Sequence, residues 1–168
     1  MNASAFWPDI WRQLPYLIAA AGPAYIVLVA WPLARIDIRE RRLPNRLVLP
    51  AFPISIAAQV AASWLLGDWW SMAISVACAV VAMILGMLAN RTDGLGMGDV
   101  KLVSAMVLAL GWFSPLAPLV ALVVSFSLAS IWLFAQFMRR KTKMGSSIAL
   151  GPYLLVGFTA VSIGLVWS

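Results

Sequence analysis

Hydrophobic positions run through this chain in long uninterrupted stretches, and polar positions gather in the short connections between them. Six stretches are long enough, or nearly so, to cross a bilayer as helices: residues 14–36, 47–66, 69–89, 100–112, 116–138 and 148–167. About 20 apolar residues in helical conformation match a hydrocarbon core of about 30 Å. The fourth stretch, at about 13 residues, falls short of that length. It either begins inside the glycine-rich connection before it or crosses incompletely, which leaves five crossings as the alternative count. Pro23, Pro32, Pro50 and Pro53 interrupt the first two stretches. They predict kinks whose freed carbonyls are satisfied by neighbouring helices or water. The expected fold is all-α, a polytopic membrane protein with about six transmembrane helices forming a single domain over residues 1–168.

Composition strengthens this reading. The chain is 63% hydrophobic and 11% charged, with a mean hydropathy of +0.93, and a soluble domain of 168 residues needs far more polar surface. The opening MNASAFWPDIWRQLP lacks a basic segment leading directly into an apolar one and a small-residue cleavage site. It does not read as a secretory signal, so the first apolar stretch is expected to remain in the mature chain.

Charge placement predicts an orientation. Arg35, Arg39, Arg41, Arg42 and Arg46 follow the first stretch, Arg91 and Lys101 the third, and Arg139, Arg140, Lys141 and Lys143 the fifth. Only Arg12 lies on the other side. The positive-inside rule makes those three connections cytoplasmic and both termini external, in a cytoplasmic (inner) membrane. Tryptophans 7, 11, 69, 70, 112 and 167 fall at the predicted outer edges, as an aromatic belt requires. The net charge of +6 is accounted for by this rule and by contact with anionic membrane lipids. A nucleic-acid partner, which calls for a folded basic surface, is not expected. The pattern is silent on oligomeric state.

The available chemistry is narrow. Histidine is absent and Cys78 is the one cysteine. That excludes Ser-His-Asp and Cys-His catalysis, internal disulfides and cysteine- or histidine-based metal sites; no metal or cofactor is expected. Six carboxylates remain: Asp9, Asp37, Glu40, Asp68, Asp93 and Asp99. Asp37 closes the first apolar stretch and Asp99 opens the fourth, on the same predicted face, where ionisable groups are functional candidates by default. Two converging carboxylates resist ionising together and so share one proton. The ionised member can then deprotonate a water while the protonated member polarises a carbonyl, hydrolysing a peptide without a covalent intermediate.

Plainer readings stand beside this one. Asp99 can be the N-cap of the fourth helix, following a flexible turn through Gly94, Gly96 and Gly98. Those glycines equally let an extended peptide approach the backbone. Asp37 can be a solvated helix end paired with Arg39, Arg41 and Arg42. Lys101 reads as a snorkelling lysine at a helix end, Asp93 as a turn residue, and Glu40 as facing the arginine cluster. Asp9 and Asp68 lie on the outer side, away from Asp99.

Taken together, the two segments resemble the type IV prepilin peptidases. Asp37 is followed by Pro44-Asn45, and about 50 residues later comes Gly96-Met97-Gly98-Asp99-Val100-Lys101-Leu102, with Gly151-Pro152 matching the family's last helix. The resemblance implies a GxGD-type intramembrane aspartic endopeptidase with Asp37 and Asp99 as catalytic pair. Gly96, Gly98, Lys101, Pro44 and Asn45 are its loop and substrate-facing residues. Its substrate is a prepilin or pseudopilin precursor, cut after a glycine that precedes the precursor's hydrophobic helix, at the cytoplasmic face. Larger members carry paired Cys-x-x-Cys motifs and methylate the new amino terminus; with Cys78 alone, peptidase activity without N-methylation is expected. The compact form resembles the peptidases of tight-adherence (Flp-type) pilus systems, with archaeal preflagellin peptidases as the alternative.

Three rival functions frame the tests. A small proton- or cation-coupled transporter would place carboxylates near mid-membrane, and none of the apolar stretches carries one there. A non-catalytic assembly factor would tolerate Asp37→Asn and Asp99→Asn. A presenilin-like protease shares the GxGD loop but lacks the Pro-Asn segment.

Overall fold

All six apolar stretches fold as helices, the one element apart from a closed barrel that satisfies its own backbone in lipid. The computed structural model describes residues 3–91, 95–138 and 150–167. Its helices are α1 (Ala3–Ala19), α2 (Ala21–Glu40), α3 (Asn45–Val48), α4 (Ala51–Leu66), α5 (Trp70–Arg91), α6 (Met97–Gly111), α7 (Ala117–Met138) and α8 (Gly151–Trp167). The described residues contain no strand. Four stretches, Ala21–Glu40, Asn45–Leu66, Trp70–Arg91 and Ala117–Met138, are long and apolar enough to cross a membrane by length and composition, and Gly151–Leu165 is a shorter apolar helix. The chain is a multi-pass membrane protein. Asp93, Gly94, the basic connection holding Arg139, Arg140, Lys141 and Lys143, and the start of the sixth stretch at Ile148 lie outside the described residues.

The first stretch divides where continuity is expected. Pro23 has no N–H to give the Ala19 carbonyl, so the ladder breaks there and α2 starts afresh at Ala21 with Pro23 in its first turn, where proline is tolerated. α1 then packs along α4, burying Ala19 beside Ala62.

The weakest candidate span in the sequence turns out to be the centre of the bundle. α6 touches α2, α3, α4, α5, α7 and α8, and every residue from Ser104 to Trp112 is buried. Its 15 residues extend about 22 Å, less than the ~30 Å hydrocarbon core. A helix enclosed by others on all sides has no need to match the bilayer. Leu102 and Leu110 of α6, with Leu33 of α2 and Leu154 and Phe158 of α8, form the fully buried middle of the core.

Lipid tails are as apolar as leucine, so apolarity alone does not hold such helices together; close packing and interhelical hydrogen bonds do. Gln59 of α4 donates to the Leu108 carbonyl of α6 at 2.7 Å. Ser75 Oγ of α5 lies 2.9 Å from both Gln59 Oε1 and the same carbonyl, its one proton shared between the two acceptors. Three helices are thereby tied at one buried point. Ser125 of α7 sits against Gly157 of α8, bonding the Ala121 and Leu154 carbonyls.

Trp112 departs from its expected place in the outer belt. It is 5% exposed, its indole N–H donates to Ser63 Oγ at 3.1 Å, and Tyr16 and Phe113 pack edge-on against it. An indole offered a hydroxyl partner and two aromatic edges is satisfied inside the bundle end. Trp11, Trp69 and Trp70 are exposed. Asp68, between α4 and α5, accepts from Ser71 Oγ at 2.7 Å and from the Trp70 N–H at 3.0 Å. These bonds hold its carboxyl below the usual carboxylate range.

Candidate active site

Asp37 lies one turn before the end of α2, where a solvated carboxylate among arginines is the plain expectation. It is instead 5% exposed. Its Oδ2 accepts a hydrogen bond of 3.0 Å from the backbone N–H of Gly151. That amide opens α8, whose first N–H groups have no partner within the helix and carry the positive end of its dipole. The approach is close: a Cβ on residue 151 would stand 2.6 Å from Asp37 Oδ2. Only glycine leaves this carboxylate its place.

Asp99 sits in the first turn of α6, not at its cap. α6 starts at Met97 with Gly96 in the N-cap position and no side-chain cap bond, so the helix begins earlier than the apolar pattern alone marks it. The glycines conceal this start because they carry no hydrophobic signal. Asp99 is partly buried, and its Oδ2 lies over Gly96, where a Cβ would be 3.2 Å away. A carboxylate in the first helical turn is favoured by the dipole. Asp99 thus opens α6 at the end of the bundle where α2 closes three residues after Asp37, and the two helices are in contact.

The other residues singled out in the sequence gather around this pair. Pro44, with φ −70° and ψ 123°, precedes α3, and Asn45 opens it. Lys101 Nζ donates to Asn45 Oδ1 at 3.0 Å at the exposed end of the bundle, so the ammonium keeps solvent contact, as the snorkelling reading expects, and also reaches a protein amide. Gly98 faces Leu43: a Cβ there would meet Leu43 Cβ at 3.0 Å. Tyr25 of α2 donates to the Leu47 carbonyl at 3.1 Å, holding the far end of α3. Gly96, Gly98, Asp99 and Lys101 of the α6 start thus share one end of the bundle with Asp37, Pro44 and Asn45. Glu40 is exposed at the end of α2.

Gly151 is the site residue that the sequence does not mark out by its chemistry. The Gly-Pro at the head of the last apolar stretch is visible, but a backbone amide serving a carboxylate 114 positions earlier is not. The described residues hold no cluster of three or more histidine, cysteine, aspartate or glutamate side chains able to bind a metal.

A helical membrane protein with two carboxylates, from separate helices, at one end of its bundle is the class that fold and site define. The sequence model of the type IV leader peptidase family matches residues 24–138, about two thirds of the chain. The chain belongs to that family. Two curated relatives from Burkholderia pseudomallei (strains 1026b and K96243), each a "Prepilin leader peptidase/N-methyltransferase", are 26% identical over 161 residues. Each match covers 85% of this chain and 48% of the relative. The chain therefore spans about half the length of the curated relatives it matches. No solved structure matches it.

Proposed function

We propose that this chain is a membrane-embedded aspartic endopeptidase that removes the leader of prepilins or pseudopilins at the cytoplasmic face of the inner membrane. One observation carries the reading: Asp37 of α2 is buried beside the Gly151 amide, and Asp99 in the first turn of α6 lies at the same end of the bundle, where Leu43 of the connection after α2 rests on Gly98. One member, ionised, takes a proton from a water; that water attacks the scissile carbonyl while the protonated member donates to its oxygen. Collapse of the tetrahedral intermediate returns a proton to the leaving amine. Gly96, exposed and extended at the N-cap of α6, leaves backbone beside Asp99 along which an extended leader can lie.

The orientation follows the basic residues. Arg39, Arg41, Arg42 and Arg46 are exposed around the same end as the two aspartates, which the positive-inside rule assigns to the cytoplasm. An apolar groove between α2 and α8 leads to that end. Its head is Ile38 and Pro152, the chain neighbours of Asp37 and Gly151, and Trp31, Ala34, Val156 and Ile163 line it farther along. Thr159 in the groove bonds the Leu155 carbonyl, so no hydroxyl there awaits a partner. The reading lays the apolar helix of the precursor in this groove, with its leader crossing the aspartates.

N-methylation is not part of the proposed activity, because the sequence has a single cysteine where methylating members carry paired Cys-x-x-Cys motifs. The test is co-expression with a Flp-type prepilin, followed by gel shift and amino-terminal sequencing. Cleavage after a glycine, leaving an unmethylated terminus, supports the proposal. A methylated terminus refutes the second half of it, and equal processing by Asp37→Asn and Asp99→Asn refutes the first.

A further inference from the structure

The connection from α2 to α3 crosses the start of α6 on both sides of Asp99. Leu43 rests on Gly98, one residue before Asp99, and Asn45 takes the hydrogen bond from Lys101, two residues after it. The same connection begins on the other aspartate, since the Arg41 N–H donates to the Asp37 carbonyl at 2.8 Å. Arg41 has φ 50° and ψ 37°, and among the described residues it is the one non-glycine position with positive φ. Left-handed backbone at such a residue persists where its surroundings hold it in place. Pro44 keeps the middle of the strap extended.

Lys101 does not face the reacting groups. Positions i and i+2 of a helix project about 200° apart, so its ammonium leaves α6 on the side away from the Asp99 carboxylate. The Lys101–Asn45 bond lies at the exposed end of the bundle and ties α6 to the first residue of α3. We infer that Lys101 is a positioning residue: its bond to Asn45 clasps the 41–45 strap across α6 and thereby holds Asp99 at its working separation from Asp37. The link to activity rests on the peptidase reading; the clasp itself does not.

Full-length Lys101→Met, Asn45→Ala, the double variant and Lys101→Arg, reconstituted in liposomes and given a prepilin, test the inference. Each single loss lowers kcat by about 10–100-fold with KM held within about twofold. The double variant falls no further than the worse single, because both remove one bond, and Lys101→Arg recovers most of the activity because guanidinium also donates to an amide oxygen. A raised KM at unchanged kcat, or additive losses, overturns the inference. A second measurement needs no substrate: cross-linking of Asp37→Cys to Asp99→Cys in a Cys78→Ser background with a short bifunctional thiol reagent. Lys101→Met slows it by about threefold or more as the strap releases α6. An unchanged rate overturns the clasp. A slowed rate beside a wild type that cleaves nothing keeps the clasp and sinks the peptidase reading alone.

Discussion

The backbone amide of Gly151 stands 3.0 Å from Asp37 Oδ2, joining the first turn of α8 to the last of α2. The bond does two things: it aims the carboxylate, and it gives the ionised form a donor in a place from which water is largely excluded. A methyl group at 151 would lie 2.6 Å from that oxygen. Gly151→Ala is therefore expected to displace Asp37 and reduce cleavage by about 100-fold, as an ångström of misplacement does. Membrane insertion and thermal stability in detergent stay near wild type. Wild-type turnover by Gly151→Ala would show that Asp37 is not held by this contact.

Gln59 and Ser75 test a different link, between packing and stability. Gln59 bridges α4 to the Leu108 carbonyl and receives Ser75. Gln59→Ala removes two hydrogen bonds and opens a small void, an expected loss of about 1–2 kcal/mol in a denaturant titration of the reconstituted protein. The position is far along α4 from the aspartates, so kcat at low temperature should be unaffected.

How much of this is legible without coordinates differs from residue to residue. The helices are legible because lipid leaves the backbone no other open choice, and Asp37 and Asp99 stand out because each ends or opens an apolar run. The central place of α6 is not legible. A short, moderately apolar run reads as a poor span, and while α5, which covers most of it, is its neighbour in sequence, α2, α4 and α8, which complete the enclosure, are distant. The split of α1 from α2 hides for another reason: proline in a membrane helix more often kinks than breaks it, and here the contact of α1 with α4 decides. Trp112 is misplaced by pattern because an indole at a helix end suits the interface and the bundle interior equally, and only Ser63 and Tyr16 settle which. The bonds from Gly151 to Asp37 and from Lys101 to Asn45 span 114 and 56 positions, and no local pattern encodes them.

The groove between α2 and α8 has a volume of about 660 Å³, against about 630 Å³ for a shallow depression on α7 lined by Val123 and Phe126. Size does not separate the two; nearness to Asp37 does. A photo-crosslinking amino acid at Trp31 or Val156 is expected to capture the apolar helix of a cleavage-resistant prepilin, while one at Val123 captures lipid alone. Capture at Val123 and none at Val156 would move the substrate to the other side of the bundle.

Asp68 gives a pH-dependent prediction away from the site. Its carboxyl is held below the usual range, first by the Ser71 hydroxyl and then by the Trp70 amide. A depressed carboxylate contributes stability that is fully present above its unfolded pKa near 3.8 and is lost as pH falls through the lower folded value. The melting temperature of Asp68→Ala in detergent should thus lie below wild type at pH 7, and the two should converge in strong acid. A difference that persists undiminished there would mean the side chain acts through packing.

The most direct measurement is cleavage of a purified prepilin by the reconstituted chain, read by mass spectrometry, with Asp37→Asn and Asp99→Asn beside wild type and insertion verified for each. The account predicts a single cut after a glycine by wild type, and losses of about 1000-fold or more in either variant, since the two carboxylates act as one unit. Cleavage by either variant within about tenfold of wild type would contradict it.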